Sequence, residues 1–130
     1  MSEKNYFSAI ITHGNLAKSM EDVTKHLIVS STKIFYYSNK ILALEEIESE
    51  IAKERVRLQP EKSVLFVDLV GGSCWILANR IKQTSPDIAV IGGVNMPMLV
   101  SYHLNFNRLE WSALLDKIIA DANKGIVKRL

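Results

Sequence analysis

The sequence contains a single cysteine, Cys74, so it holds no internal disulfide. That usage suits a reducing compartment and excludes a small disulfide-stapled scaffold. No apolar run approaches the roughly 20 residues needed to cross a bilayer, so no direct membrane insertion is expected. The first residues, Met1-Ser2-Glu3-Lys4-Asn5, are polar and lack the apolar stretch of a secretory signal. These absences together predict a cytoplasmic protein. Net charge is also scarce, since 16 Lys and Arg stand against 14 Asp and Glu, leaving +2. The basic residues are interleaved with acidic ones and form no patch of the kind that tracks a phosphate backbone. The one locally basic stretch, Lys124 to Leu130, is short and mixed with apolar residues, so no nucleic-acid partner is expected. Internal repeats, low-complexity segments and linkers are missing as well.

What remains is the composition of an ordinary soluble protein, with 48% hydrophobic and 23% charged residues among 130. That length predicts one domain over residues 1–130 with a core sufficient for stability. Four strand-like segments alternate with helical ones. The first strand is expected over Tyr6 to Thr12, followed by a helix over Asn15 to Leu27 with Leu16, Met20, Val23 and Leu27 on one face. Thr32 to Ser38, rich in β-branched and aromatic residues, reads as the second strand. A helix from Ile41 to Leu58 carries a Leu44, Ile47, Ile51 stripe, with acids early and bases late to suit its dipole. Pro60 precedes the third strand, Ser63 to Asp68, and Ser73 is placed to cap a helix that Pro86 ends. Asp87 to Ile91 is the fourth strand. Pro97 opens the next helix, and Trp111, Leu114, Leu115, Ile118 and Ile119 mark the last one. Gly125 to Leu130 could supply a fifth strand. This alternation predicts a doubly wound α/β fold, a mostly parallel sheet of four strands flanked by helices.

Two strands end on residues that can do chemistry. The first runs into His13-Gly14, and the third ends on Asp68 ahead of Leu69-Val70-Gly71-Gly72-Ser73. Doubly wound sheets bind ligands at the carboxyl ends of their strands, where the strand order reverses. There, strands one and three are neighbours, which would put His13 and Asp68 roughly 5 Å apart. An Asp accepting the Nδ1 proton of a histidine leaves the Nε2 lone pair free to attack. Gly71, Gly72 and Ser73 begin a helix, and its N–H groups can cradle a phosphoryl group. A nucleophilic nitrogen beside an anion cradle suits a phosphohistidine carrier. A histidine that merely caps or packs is the plainer alternative. A receiver-like domain phosphorylated on Asp68 is another, although Thr12-His13-Gly14 offers no carboxylate for Mg²⁺. A thiol enzyme built on Cys74, a serine hydrolase without the second glycine of its elbow, and a metal held by His13 and Asp68 have less in their favour. His26 and His103 read as surface or packing residues.

Three segments carry a further resemblance: Thr12-His13-Gly14, Val67 to Ser73, and Gly93-Val94-Asn95-Met96-Pro97-Met98-Leu99. Together, in this spacing, they resemble the mannose-type enzyme IIA domain of the bacterial phosphoenolpyruvate-dependent sugar phosphotransferase system. The resemblance runs from Phe7 to the C-terminus. It implies that His13 is phosphorylated on Nε2, that Asp68 orients it, and that Ser73 and the glycines hold the phosphoryl group. It implies HPr as donor, an enzyme IIB protein as acceptor, and no metal or organic cofactor. It also implies a homodimer in which the C-terminal segment pairs with the partner's sheet. The chain departs from the family pattern at Leu69-Val70, where polar and aromatic residues are usual, and at Cys74, where proline is usual. The sugar and the choice between transport and a regulatory phosphohistidine role stay open.

Overall fold

A computed structural model of the chain describes residues 4–29 and 32–130. Its elements, in order, are β1 (Tyr6–Thr12), α1 (Leu16–Leu27), β2 (Phe35–Ser38), α2 (Leu44–Leu58), β3 (Lys62–Val67), α3 (Ser73–Lys82), β4 (Ile88–Ile91), α4 (Met96–Asn105) and α5 (Trp111–Lys124). The four strands form one parallel sheet in the order β2-β1-β3-β4, and the five helices flank it. This is the α/β architecture expected. The central strands β1 and β3 are buried almost throughout, because helices cover both sheet faces and each residue must be apolar whichever way it points.

Alternation along the strands divides the core in two. Ile10, Val64 and Phe66 face one layer, with Met20, Leu99, Tyr102, Leu114 and Ile118. Phe7, Ala9, Ile11, Leu65 and Val67 face the other, with Ile47, Ile51, Leu77 and Ile81. Thus α1, α4 and α5 lie on one face, and α2 and α3 on the other. The chain therefore leaves β1 and β3 toward opposite faces, and the strand order reverses between these two neighbours.

Several boundaries differ from expectation. The second strand begins at Phe35 instead of Thr32, and β3 stops at Val67, one residue before Asp68. The face that α1 buries is Ala17, Met20, Glu21 and Thr24, while Leu16, Val23 and Leu27 are largely exposed. The reason is local. The buried Thr12 hydroxyl oxygen accepts the N–H of Ala17 at 2.7 Å, and Thr24 satisfies itself by donating to the Met20 carbonyl at 2.7 Å. These bonds let α1 bury Ala17 and Thr24 along with Met20 and Glu21. Residues Gly125 to Leu130 form no strand within the single chain, and Ile126 and Val127 are exposed. No helix among the described residues is long and apolar enough to cross a membrane.

Candidate functional site

The site is built where β1 and β3 end side by side, with Ile11 paired to Val67. His13 and Asp68 each stand one residue beyond their strands, at the reversal point. His13 is fixed from behind. Gly14 adopts φ +58°, a left-handed turn that a glycine makes without steric cost. Its N–H donates to Asn39 Oδ1 at 3.2 Å, and its carbonyl accepts from the Ser38 hydroxyl. The Thr12–Ala17 bond clamps the following helix. Sequence reasoning misses Ser38 and Asn39, and it names Thr12 only within the Thr12-His13-Gly14 segment. The available signal was that Ser38 and Asn39 close strand β2 at the same sheet edge as His13.

Asp68 holds the histidine twice. Its Oδ2 accepts the His13 backbone N–H at 3.1 Å and faces Nδ1 at 3.0 Å, with Oδ1 at 3.2 Å from Nδ1. An ionised carboxylate can only accept, so the ring proton belongs on Nδ1 and the lone pair on Nε2. Nε2 lies 3.2 Å from the Ser73 hydroxyl oxygen, which donates to it. His13 is exposed over 43% of its side chain and Asp68 over 15%. The ring is thus open to solvent, while the carboxylate that orients it is sheltered.

The glycines shape the space around the ring. Gly71 has φ +88°, again in the left-handed region. A Cβ on Gly72 would lie 3.1 Å from His13 Cε1 and 3.7 Å from Nε2, so glycine there leaves the imidazole its room. Ser73 does not cap α3 as expected. Gly72 occupies the cap position and Ser73 is the first helical residue, with its hydroxyl turned to His13 instead of the helix backbone. The Gly72 N–H goes to the Leu69 carbonyl at 3.1 Å. The N–H groups of Ser73, Cys74 and Trp75 open the helix with no carbonyl four residues back to receive them. They and the helix dipole favour an anion near Nε2.

Cys74 is fully buried beneath this turn. Burial, and then the Asp68 charge, push its thiol up to about 11, so it stays protonated at neutral pH and is a poor nucleophile. Leu69, Val70 and Ile76 are each about 60% exposed and give the site an apolar rim. The third segment braces the site from below. Val94 N–H donates to the Val67 carbonyl at 3.0 Å, and Asn95 caps α4 by accepting from Met98 N–H at 3.0 Å while donating to Ala122 at 3.1 Å. His26 is exposed, and His103 is buried with neither ring nitrogen hydrogen-bonded. Burial lowers the His103 pKa, as suits a packing residue.

Comparison with known proteins bears on this arrangement. The family model described as PTS system fructose IIA component, EIIA-man, matches residues 9–119. The chain belongs to this family. It is accordingly an enzyme IIA-type component of the sugar phosphotransferase system, whose general role is phosphotransfer. Among solved structures, phosphotransferase system component EIIA from Streptococcus agalactiae superposes with a TM-score of 0.85 at 20% identity, covering 95% of this chain and 96% of that one. The PTS IIA protein associated with the fucose utilization operon of Streptococcus pneumoniae gives 0.79 at 18% identity, covering 98% and 96%. The mannose/sorbose specific IIA subunit from Enterococcus faecalis gives 0.77 at 16% identity, covering 99% and 96%. At such identities the structural likeness speaks for the fold. No curated protein matches the chain.

Proposed function

We propose that the chain is a phosphocarrier that accepts a phosphoryl group from phospho-HPr on Nε2 of His13 and passes it to an enzyme IIB protein during sugar uptake. The observation that carries this reading is the line Asp68–His13–Ser73, with contacts of 3.0 and 3.2 Å on the two ring nitrogens. The Nε2 lone pair attacks the phosphorus of the donor. A P–N bond forms at Nε2, the donor's P–N bond breaks, and its electron pair returns to the donor imidazole. The proton stays on Nδ1, where the Asp68 carboxylate offsets the positive ring that phosphorylation creates. Ser73 then turns its hydroxyl from the spent lone pair to a phosphoryl oxygen, beside the free N–H groups of Ser73, Cys74 and Trp75 at the start of α3. Delivery to the IIB protein reverses these steps. The reaction needs neither metal nor organic cofactor, and its partners place it in the cytoplasm. Family membership weighs against the receiver-like alternative.

The test is to incubate the chain with phosphoenolpyruvate, enzyme I and HPr, then treat the labelled protein with acid and base. Label lost in acid and kept in base is the expected result, as for a phosphoramidate. Label stable in acid and lost in base would indicate an acyl phosphate on Asp68 and overturn the reading.

The same reading includes a homodimer in which the C-terminal segment of one chain pairs with its partner's sheet. Two features support it. Strand β4 lies at the edge of the sheet with its outer side unpaired among the described residues, and the largely exposed Ile126 lines a groove with Val90 and Ile91. Open strand edges invite pairing with another chain. Light scattering on the full chain should give twice the 14.7 kDa chain mass, and a monomer at micromolar concentration would refute the dimer.

A further inference from the structure

Cys74 takes no part in the phosphoryl transfer described above, yet it lies against the groups that do. One ligand atom each from His13, Asp68 and Cys74 lies within 4.8 Å of the other two. The His13 nitrogen and the Asp68 carboxylate are already 3.0 Å apart, close to the spacing of two ligands on one ion. Imidazole, carboxylate and thiolate are the donors that bind Zn²⁺, at about 2.0–2.3 Å. The sulfur forms a buried floor, Asp68 a sheltered wall, and His13 the exposed side from which an ion would enter.

We propose that His13, Asp68 and Cys74 form a three-ligand Zn²⁺ site, with water in the fourth position on the open side of the imidazole. A carboxylate and a thiolate together neutralise the charge of the ion, and the thiol proton passes to solvent as the S–Zn bond forms. The ligand nitrogen is Nδ1, the one that faces Asp68, and coordination there also fixes the state of Nε2. An ion on Nδ1 displaces the Asp68 hydrogen bond and leaves the ring proton on Nε2. Nε2 then has no free electron pair, so Zn²⁺ and the phosphoryl group exclude one another. This last step rests on the phosphocarrier reading; the ion site itself does not.

The experiment uses the chelator-treated full chain with no phosphoryl donor present. Zn²⁺ titrated calorimetrically should bind at one ion per chain, and Cys74→Ser and His13→Ala should each weaken binding at least tenfold. Co²⁺ in place of Zn²⁺ should give a near-ultraviolet thiolate-to-metal charge-transfer band. Cys74 is the sole cysteine, so such a band in the unmutated chain assigns the sulfur ligand even if Cys74→Ser fails to fold. Absence of the band, or Zn²⁺ binding undiminished in a folded Cys74→Ser variant, overturns the site. Failure of either result leaves the phosphocarrier reading standing. Failed labelling of the zinc-free chain would in turn leave the ion site standing.

Discussion

Replacing His13 by alanine is expected to abolish labelling by phosphoenolpyruvate, enzyme I and HPr, with loss beyond detection. The chain keeps two other histidines, and neither can substitute. His26 stands on the outer surface of α1 with its Nδ1 2.7 Å from the Asp22 carbonyl, remote in sequence from the glycine turn. His103 is buried in α4 and cannot meet a protein donor without unfolding its surroundings. The fold should survive the substitution. The His13 side chain is exposed, and its backbone N–H still reaches Asp68 Oδ2 at 3.1 Å. What the fold loses is two side-chain hydrogen bonds of the ring, to Asp68 and from Ser73, each on the order of 1 kcal/mol, against a typical stability of about 5–15 kcal/mol. Circular dichroism and thermal melting should therefore match the parent chain within a few degrees. A folded His13→Ala protein that still takes acid-labile label would remove His13 from the acceptor position.

How much of this was legible beforehand depends on what each residue is held by. The order and type of the strands were readable because β1 and β3 are buried on both faces, which forces continuous apolar runs bounded by Gly and Pro. The pairing of His13 with Asp68 followed from topology, since reversal of a doubly wound sheet makes β1 and β3 neighbours. Hydrophobicity alone points to the wrong face of α1, because it ranks Val23 and Leu27 above Ala17 and Thr24. The Thr12 hydroxyl, which tethers the start of that helix, carries no periodic signal. Residue type alone makes Ser73 the cap, whereas Gly72 holds that position and a Cβ there would crowd the His13 ring at 3.1 Å. Ser38 and Asn39 act through bonds to the Gly14 backbone, and tertiary contacts of that kind leave no local trace. The proximity of Cys74 to His13 and Asp68 needs the turn of α3 in three dimensions, which spacing alone did not provide.

Asp68→Asn is expected to slow single-turnover transfer from phospho-HPr by about a hundredfold, the upper end of what a lost orienting partner costs a histidine. An asparagine at this position keeps the shape of the side chain but can turn either its carbonyl or its NH₂ toward the ring. The carbonyl orientation retains the Nδ1 proton but removes the negative charge facing the phosphorylated ring. The NH₂ orientation donates to Nδ1 and moves the ring proton to Nε2, the atom that must attack. The backbone N–H of His13, which Oδ2 now accepts at 3.1 Å, competes for the carbonyl and favours that second, unproductive tautomer whenever one oxygen must serve both groups. A hundredfold loss corresponds to about 2.7 kcal/mol, more than a neutral hydrogen bond of similar shape contributes, so the charge and the tautomer must both be at stake. Two readouts separate this from simple damage. The ¹⁵N shifts of the His13 ring should move from the Nδ1–H pattern toward Nε2–H. The melting temperature should change little, because Asp68 is part-exposed at 15%. Unchanged transfer rates with an unchanged tautomer would show that Asp68 neither orients nor stabilises the ring, and that Ser73 and the helix N-terminus alone prepare Nε2 for phosphoryl transfer.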